Sequence, residues 1–330
     1  MTDAILLGDP NALTSAFPPA LRRAIGARVR LRNVGPDGLC AVPTPEDLAE
    51  ARIILSTWGM PVLDAAFLAA APRLQSVFYA AGSVKSFATE AARERGISIC
   101  SAVEANAIPV AEYTLAMTLL SLKHVWASLR QAPAERGRRL TQEPPGAYGA
   151  TVGLISLGAV GRAAARLLAD HDLHILAYDP ITAPDAAAAL GVEAVSLAEI
   201  FSRSDVVSIH APRLPETEGM VGADLVRSMK INATLINTSR GALIDEGGLC
   251  TVLRERPDLT AILDVTDPEP PTPESRLRTL PNVLLTPHVA GSRGDEMSRM
   301  GWWMLQELER YLDGAPLKHQ VEYAILARLA

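Results

Sequence analysis

TVGLISLGAVGRAAARLLADHDLHILAYDP, residues 151–180, reads as a strand, a tight glycine turn, a helix and a second strand. Val152-Gly153-Leu154-Ile155 is the short apolar run that a parallel strand buried on both faces requires. It leads into Ser156-Leu157-Gly158-Ala159-Val160-Gly161, a GxGxxG-like turn. In such a turn Gly158 lets backbone N–H groups approach a pyrophosphate, and Gly161 lets the following helix pack closely on the strand. The N-terminus of that helix, at Ala159 and Val160, adds partial positive charge. Residues 173–178 form the next strand and end at Asp179, where a carboxylate reaches the hydroxyls of an adenosine ribose. Asp179 also repels a 2′-phosphate, and no arginine follows in Pro180-Ile181-Thr182-Ala183, so the stretch predicts NAD rather than NADP. The first position of the pattern is Ser156, not glycine, which a negative φ at that residue would permit.

The chain has 330 residues, enough for two domains, with 48% hydrophobic and 21% charged residues, the balance of a globular protein. A formal net charge of −6 gives no basic footprint for nucleic acid or an anionic membrane. Cys40, Cys100 and Cys250 are far apart and odd in number, so neither a disulfide framework nor a zinc spacing follows, and no metal is expected. Together with an acidic start, Met1-Thr2-Asp3-Ala4, and no apolar run of about 18 residues, this predicts a cytoplasmic protein.

Before residue 104, strands at 4–7, 29–31, 53–56, 76–79 and 98–100 alternate with helices at 19–25 and 64–71 and a helix start at 43–47. That βαβ rhythm implies a parallel sheet covered by helices, whose strand exits are the ligand-binding edge. Two exits are informative: Trp58 beside Gly59 and Met60, and Ala81-Gly82-Ser83, whose small residues suit a carboxylate held by backbone amides. Core packing for Trp58 and Met60, and a plain turn at Gly82, are the competing readings. Residues 108–129 predict one long helix carrying Glu112. Residues 131–148, with Arg136, Arg138, Arg139 and Pro144-Pro145, predict an extended arm that touches a second subunit.

After Asp179 the alternation resumes, with strands at 194–195, 206–209, 234–237, 261–265 and 283–286. Their exits carry His210-Ala211-Pro212, Thr238-Ser239-Arg240, Asp264 with Glu269 beyond it, and His288. Parallel strands share one carboxyl edge, so these groups fall beside the glycine turn. Hydride transfer to a keto acid needs this inventory: an arginine fork for a carboxylate and its neighbouring carbonyl, a histidine for the hydroxyl proton, and a carboxylate to stabilise the imidazolium. Taken singly, a strand-end histidine, an Arg-Gly pair or a glutamate among prolines is ordinary structure.

The order SLGAVG, YDP, HAPRLPET, NTSRG, LDVTDPEP, LTPHVAG closely resembles the D-isomer-specific 2-hydroxyacid dehydrogenases over about half of the chain. The resemblance implies that Arg240 binds substrate, His288 is the acid/base and Glu269 its partner; the two strand exits of the first half put Trp58, Ala81, Gly82 and Ser83 at the substrate. It places Ser156, Gly158, Ala159, Val160, Gly161, Asp179, His210, Ala211, Pro212, Thr238, Ser239, Asp264 and Gly291 at the cofactor, with Asp264 contacting the nicotinamide carboxamide. It also implies an α/β fold of two doubly wound parallel-sheet domains, a flavodoxin-like substrate domain and a Rossmann NAD-binding domain, with a cleft between them. Residues 1–103 plus 297–330, with a returning helix at 301–312, would form the first, and residues 104–296 the second. A homodimer through the cofactor domain is expected. Formate oxidation is not, because formate dehydrogenases of this superfamily carry glutamine where this chain has Glu269. The loop at 82–87 lacks the family's Gly-Val-Asp run, so substrate preference does not transfer. The alternatives are a family member acting on phosphoglycerate or phosphite, and a dinucleotide-sensing binding protein without turnover.

Overall fold

The computed structural model describes residues 1–35, 38–131, 133–135, 137–138 and 143–328. Arg136 and Arg139 of the expected arm lie outside the described residues. The described residues divide into two compact units, one made of Met1–Asn106 and residues 292–328, the other of Ala107–Gly291.

The first unit holds five parallel strands, β1 (Asp3–Leu7), β2 (Arg30–Leu31), β3 (Ile53–Ser56), β4 (Ser76–Tyr79) and β5 (Ser98–Ser101), in the order β2-β1-β3-β4-β5. This is the flavodoxin-like order. Every residue of β3 and β4 is buried, as strands covered on both faces must be. The helices start where their caps dictate: Asp64 accepts from the Phe67 N–H, and Thr44 and Asp47 form a reciprocal capping box. The returning helix, Glu296–Leu312, packs on helix Pro10–Ala16 so closely that a Cβ at Gly301 would lie 2.0 Å from the Ala16 carbonyl oxygen. Met300, Met304 and Leu308 of that helix are fully buried against Phe17, Leu21 and Phe78.

The second unit holds seven parallel strands, β6 (Thr151–Ile155), β7 (His174–Tyr178), β8 (Glu193–Ala194), β9 (Val206–Ile209), β10 (Thr234–Asn237), β11 (Thr260–Leu263) and β12 (Val283–Leu285). Their order is β12-β11-β10-β9-β6-β7-β8. Reading outward from β6, the strand order reverses between β6 and β9, which is the switch point where doubly wound sheets bind ligands.

The long helix differs from the sequence expectation. It runs from Val103 to Ser121 with Pro109 inside it, stops, and resumes as Val125–Leu129. The break is at His124, whose φ of 51° is left-handed and whose N–H donates to the Ser121 carbonyl, while the Trp126 indole donates to the Ser121 hydroxyl at 2.9 Å. Glu112 is exposed on it. Among the described residues no helix is long and apolar enough to cross a membrane.

Candidate active site

Strand β6 runs into the glycine turn at Ser156. Ser156 has a φ of +79°, not the negative value that the sequence predicts for a serine in this turn. Asp179, at the end of β7, explains how it is held. Its Oδ2 accepts from the Leu157 N–H at 2.6 Å and the Ser156 hydroxyl at 3.3 Å, and its Oδ1 accepts from the Ile181 and Thr182 N–H groups at 2.8 Å each. Burial opposes its charge, but the donations from Leu157, Thr182 and Ile181 overcome it and hold the carboxyl below the usual aspartate range. The carboxylate expected at the ribose is thus the brace of the glycine turn.

Gly158 caps helix Ala159–Leu168, and a Cβ there would meet nothing within 4 Å. A Cβ at Gly161 would lie 2.0 Å from the Ser156 carbonyl oxygen, so only glycine fits where helix and strand cross. His210, at the exit of β9, is 6% exposed, and neither ring nitrogen has a hydrogen-bond partner among the described residues. Burial brings its imidazole down to about 4, so it is neutral at physiological pH, with one donor and one acceptor to offer. The Thr238 hydroxyl, on the neighbouring strand's exit, is likewise buried and unpartnered. Open space over Gly158 and orphaned polar atoms at the neighbouring strand exits are what a polar dinucleotide would fill and satisfy.

At the exit of β10, the fully buried Asn237 side chain builds the next turn. Its Oδ1 accepts from the Ser239 N–H at 3.0 Å, and its amide donates to the Arg240 carbonyl at 2.9 Å. The Ser239 hydroxyl donates to the Ala211 carbonyl, tying this turn to the exit of β9. Arg240 donates to the Ser239 carbonyl at 2.7 Å. Burial lowers its guanidinium, and the negative charge of Glu269 supports it. Gly241 allows the approach: a Cβ there would sit 2.0 Å from the Thr266 carbonyl carbon, in the loop that leads to Glu269.

His288 follows β12, and its Nδ1 lies 2.7 Å from Glu269 Oε1, with both side chains between four and five tenths exposed. With a carboxylate oxygen as the acceptor, Nδ1 carries the hydrogen of this contact, which fixes the ring's tautomer. Arg240, Glu269, His288 and the glycine turn therefore share one edge of one sheet.

Residues 115–290 match the D-isomer specific 2-hydroxyacid dehydrogenase, NAD binding domain. The chain belongs to the D-isomer specific 2-hydroxyacid dehydrogenase family. Its cofactor is accordingly NAD, and Gly158, Gly161, His210 and Thr238 are residues of this NAD-binding domain whose geometry suits it. Within the family the chain is 33% identical over 295 residues to a D-3-phosphoglycerate dehydrogenase of Mycobacterium leprae, a match covering 88% of this chain and 54% of that protein. It spans about half the length of the phosphoglycerate dehydrogenases it matches first. A glyoxylate reductase of Korarchaeum cryptofilum is 32% identical over 257 residues, 76% of this chain and 77% of that one. In structure, a phosphoglycerate oxidoreductase from Rhizobium etli superposes with a TM-score of 0.80 at 23% identity, covering 98% of this chain and 99% of that chain. The last likeness speaks for the fold.

Four expected site residues lie in the first unit. Trp58 is 39% exposed at the exit of β3, whereas Met60 is core. The Trp58 carbonyl accepts from the Asp9 N–H at 2.8 Å, and Gly8 and Gly59, both at positive φ, permit that approach. Ala81 is buried, Gly82 and Ser83 are partly exposed, and the Ser101 hydroxyl lies against the carbonyls of Ala81 and Gly82 at 3.1 and 2.6 Å. Gly291 closes the loop after His288 and is the last residue of the main body of the second unit. Sequence reading missed Asn237, although NTSRG displays it beside Arg240. It also missed Thr286 and Tyr113, which contact each other at 3.1 Å across 173 residues, a separation no local pattern signals.

Proposed function

We propose that this chain is an NAD-dependent reductase or dehydrogenase of small 2-oxo and 2-hydroxy acids. One observation carries the reading: the exposed His288–Glu269 pair at 2.7 Å shares a sheet edge with Arg240 and the glycine turn. NAD(H), when bound, would supply or accept the hydride at substrate C2. Arg240 grips the substrate carboxylate and polarises the adjacent carbonyl. His288 Nε2 gives its proton to the carbonyl oxygen as charge develops there, and Glu269 holds the ring and its tautomer. In the oxidative direction His288 takes the hydroxyl proton. The proposed cofactor contacts are Ser156, Gly158, Ala159, Val160, Gly161, Asp179, His210, Ala211, Pro212, Thr238, Ser239 and Gly291. The same reading assigns Trp58, Ala81, Gly82 and Ser83 to the substrate, and residues 1–103 plus 297–330 and 104–296 to substrate and cofactor domains.

Small acids are favoured over phosphoglycerate, because residues 80–87 contain a single basic residue, Lys85, where a phosphate would call for more. Two features support a cytoplasmic homodimer joined through the second unit. All three cysteines are free, and the apolar side chains of Leu120, Leu129 and Tyr148 in that unit are exposed. Light scattering tests the dimer. For the activity, NADH oxidation is followed with glyoxylate, pyruvate, hydroxypyruvate and 3-phosphohydroxypyruvate. Turnover fastest on an unphosphorylated acid is expected. NADH binding without turnover on any of them would instead make the chain a dinucleotide sensor, a reading that the His288–Glu269 pair argues against.

A further inference from the structure

His288 has a φ of +51°, a conformation that a side chain with a Cβ disfavours, so something must hold it. The contacts converge from one residue. Asp264 is 1% exposed, and its backbone carbonyl accepts from the His288 N–H at 2.9 Å. Its Oδ1 accepts from the Val289 N–H at 2.8 Å and the Thr286 hydroxyl at 2.6 Å, and its Oδ2 accepts from the Ala290 N–H at 2.9 Å. All four bonds end on residues 286–290. The Thr286 hydroxyl has one hydrogen, which goes to Asp264, so in its 3.1 Å contact with Tyr113 the phenol is the donor. Burial pushes the Tyr113 phenol above its ordinary value, the Asp264 charge adding to the effect, so it remains protonated and able to donate. Tyr113 stands on helix Val103–Ser121 and belongs to the same unit as the rest.

We infer that Tyr113, Thr286 and Asp264 are positioning residues, a hydrogen-bonded relay that fixes the left-handed turn at His288 so that its Nδ1 meets Glu269. This rests on His288 being the acid/base. It gives Asp264 a different principal task from the carboxamide contact that family resemblance implies, since three of its carboxylate's acceptor directions already serve the loop. A residue that orients another acts on the chemical step and leaves binding alone, because a displacement of about 1 Å at the reacting atoms can cost about 100-fold in rate.

Thr286→Val keeps the side chain's shape and cuts the relay in the middle. Its kcat is expected to fall 10- to 100-fold, with KM for the oxo acid and NADH affinity, read by fluorescence titration, within twofold. The pH at which kcat declines should move, since the His288–Glu269 contact loosens. Thr286→Ser should restore wild-type behaviour. Tyr113→Phe, which removes only the outer donor, should cost 3- to 10-fold, and adding it to Thr286→Val should cost nothing more, as members of one chain are not additive. Wild-type kcat and pH profile in a folded Thr286→Val protein would overturn the relay. So would NADH affinity falling tenfold with kcat unchanged, which would return Asp264 and its neighbours to cofactor contact. Should Thr286→Val not fold, Tyr113→Phe decides, and wild-type kcat there overturns the inference. His288→Gln separates the two levels: if it retains activity the acid/base assignment fails, and if it is inactive while Thr286→Val is not, only the relay fails.

Discussion

Gly158→Ala isolates the cofactor from the fold. Gly158 has φ −69° and ψ −161°, an extended conformation open to alanine, and a Cβ there meets nothing within 4 Å. Unfolding free energy should therefore hold or rise by about 0.4–1 kcal/mol, the entropy removed from the unfolded chain. The same methyl stands where a pyrophosphate must come against the backbone, so NADH affinity should drop about 10- to 100-fold, roughly 1.4–2.8 kcal/mol. Gly161→Ala is the contrasting case. Its Cβ would start 2.0 Å from the Ser156 oxygen and must open that contact to about 3 Å, so the turn shifts by about 1 Å. Ser156 resists, because its N–H donates to the Tyr178 carbonyl at 2.8 Å and its neighbour Leu157 donates to Asp179. That substitution should cost about 1–3 kcal/mol of stability as well as the binding. Urea midpoints and NADH fluorescence titrations read both quantities. A folded Gly158→Ala protein that binds NADH as tightly as the parent would refute the placement of the dinucleotide.

Ser156→Gly should be more stable than Ser156→Ala by about 0.5–1 kcal/mol, since both lose the hydroxyl but only glycine is unstrained at φ +79°; equal urea midpoints would contradict this. His210 couples stability to acid. Its imidazole titrates near 4 in the folded chain and near 6.5 in the unfolded one, so the unfolded chain binds the extra proton. Stability should then fall as pH drops from about 6.5 toward 4, by up to about 3 kcal/mol, and His210→Gln should flatten the slope of urea midpoint against pH in that window. Glu269→Gln should lower kcat for keto-acid reduction by about tenfold or more, because a neutral amide orients and supports the proton-donating ring less well than the carboxylate; an unchanged kcat would break the pairing.

Strand positions and their exits were legible because parallel strands buried on both faces are short apolar runs, and all of β3, β4, β9 and β10 are buried. Arg240, Glu269 and His288 were legible because each follows such a run on one shared edge. What the sequence hid depends on tertiary contact. Helix Pro10–Ala16 was overlooked although Asp9 caps it, since only seven residues give no clear period. The left-handed φ of Ser156 follows from Asp179, 23 residues away. Thr286 and Tyr113 look like an ordinary strand-end threonine and a helix tyrosine until the fold brings them together. The break at His124 was missed because residues 108–129 contain no glycine and no proline beyond Pro109 to punctuate the helix.

Single-turnover reduction of a 2-oxo acid by the His288→Gln protein, preloaded with NADH, tests the account most directly. The account predicts NADH affinity within twofold of the parent and a hydride-transfer rate lower by about 100- to 10,000-fold, the share that general acid catalysis supplies. A rate within threefold of the parent would show that the proton comes from elsewhere and that the edge shared by Arg240, Glu269 and His288 is not where the chemistry occurs.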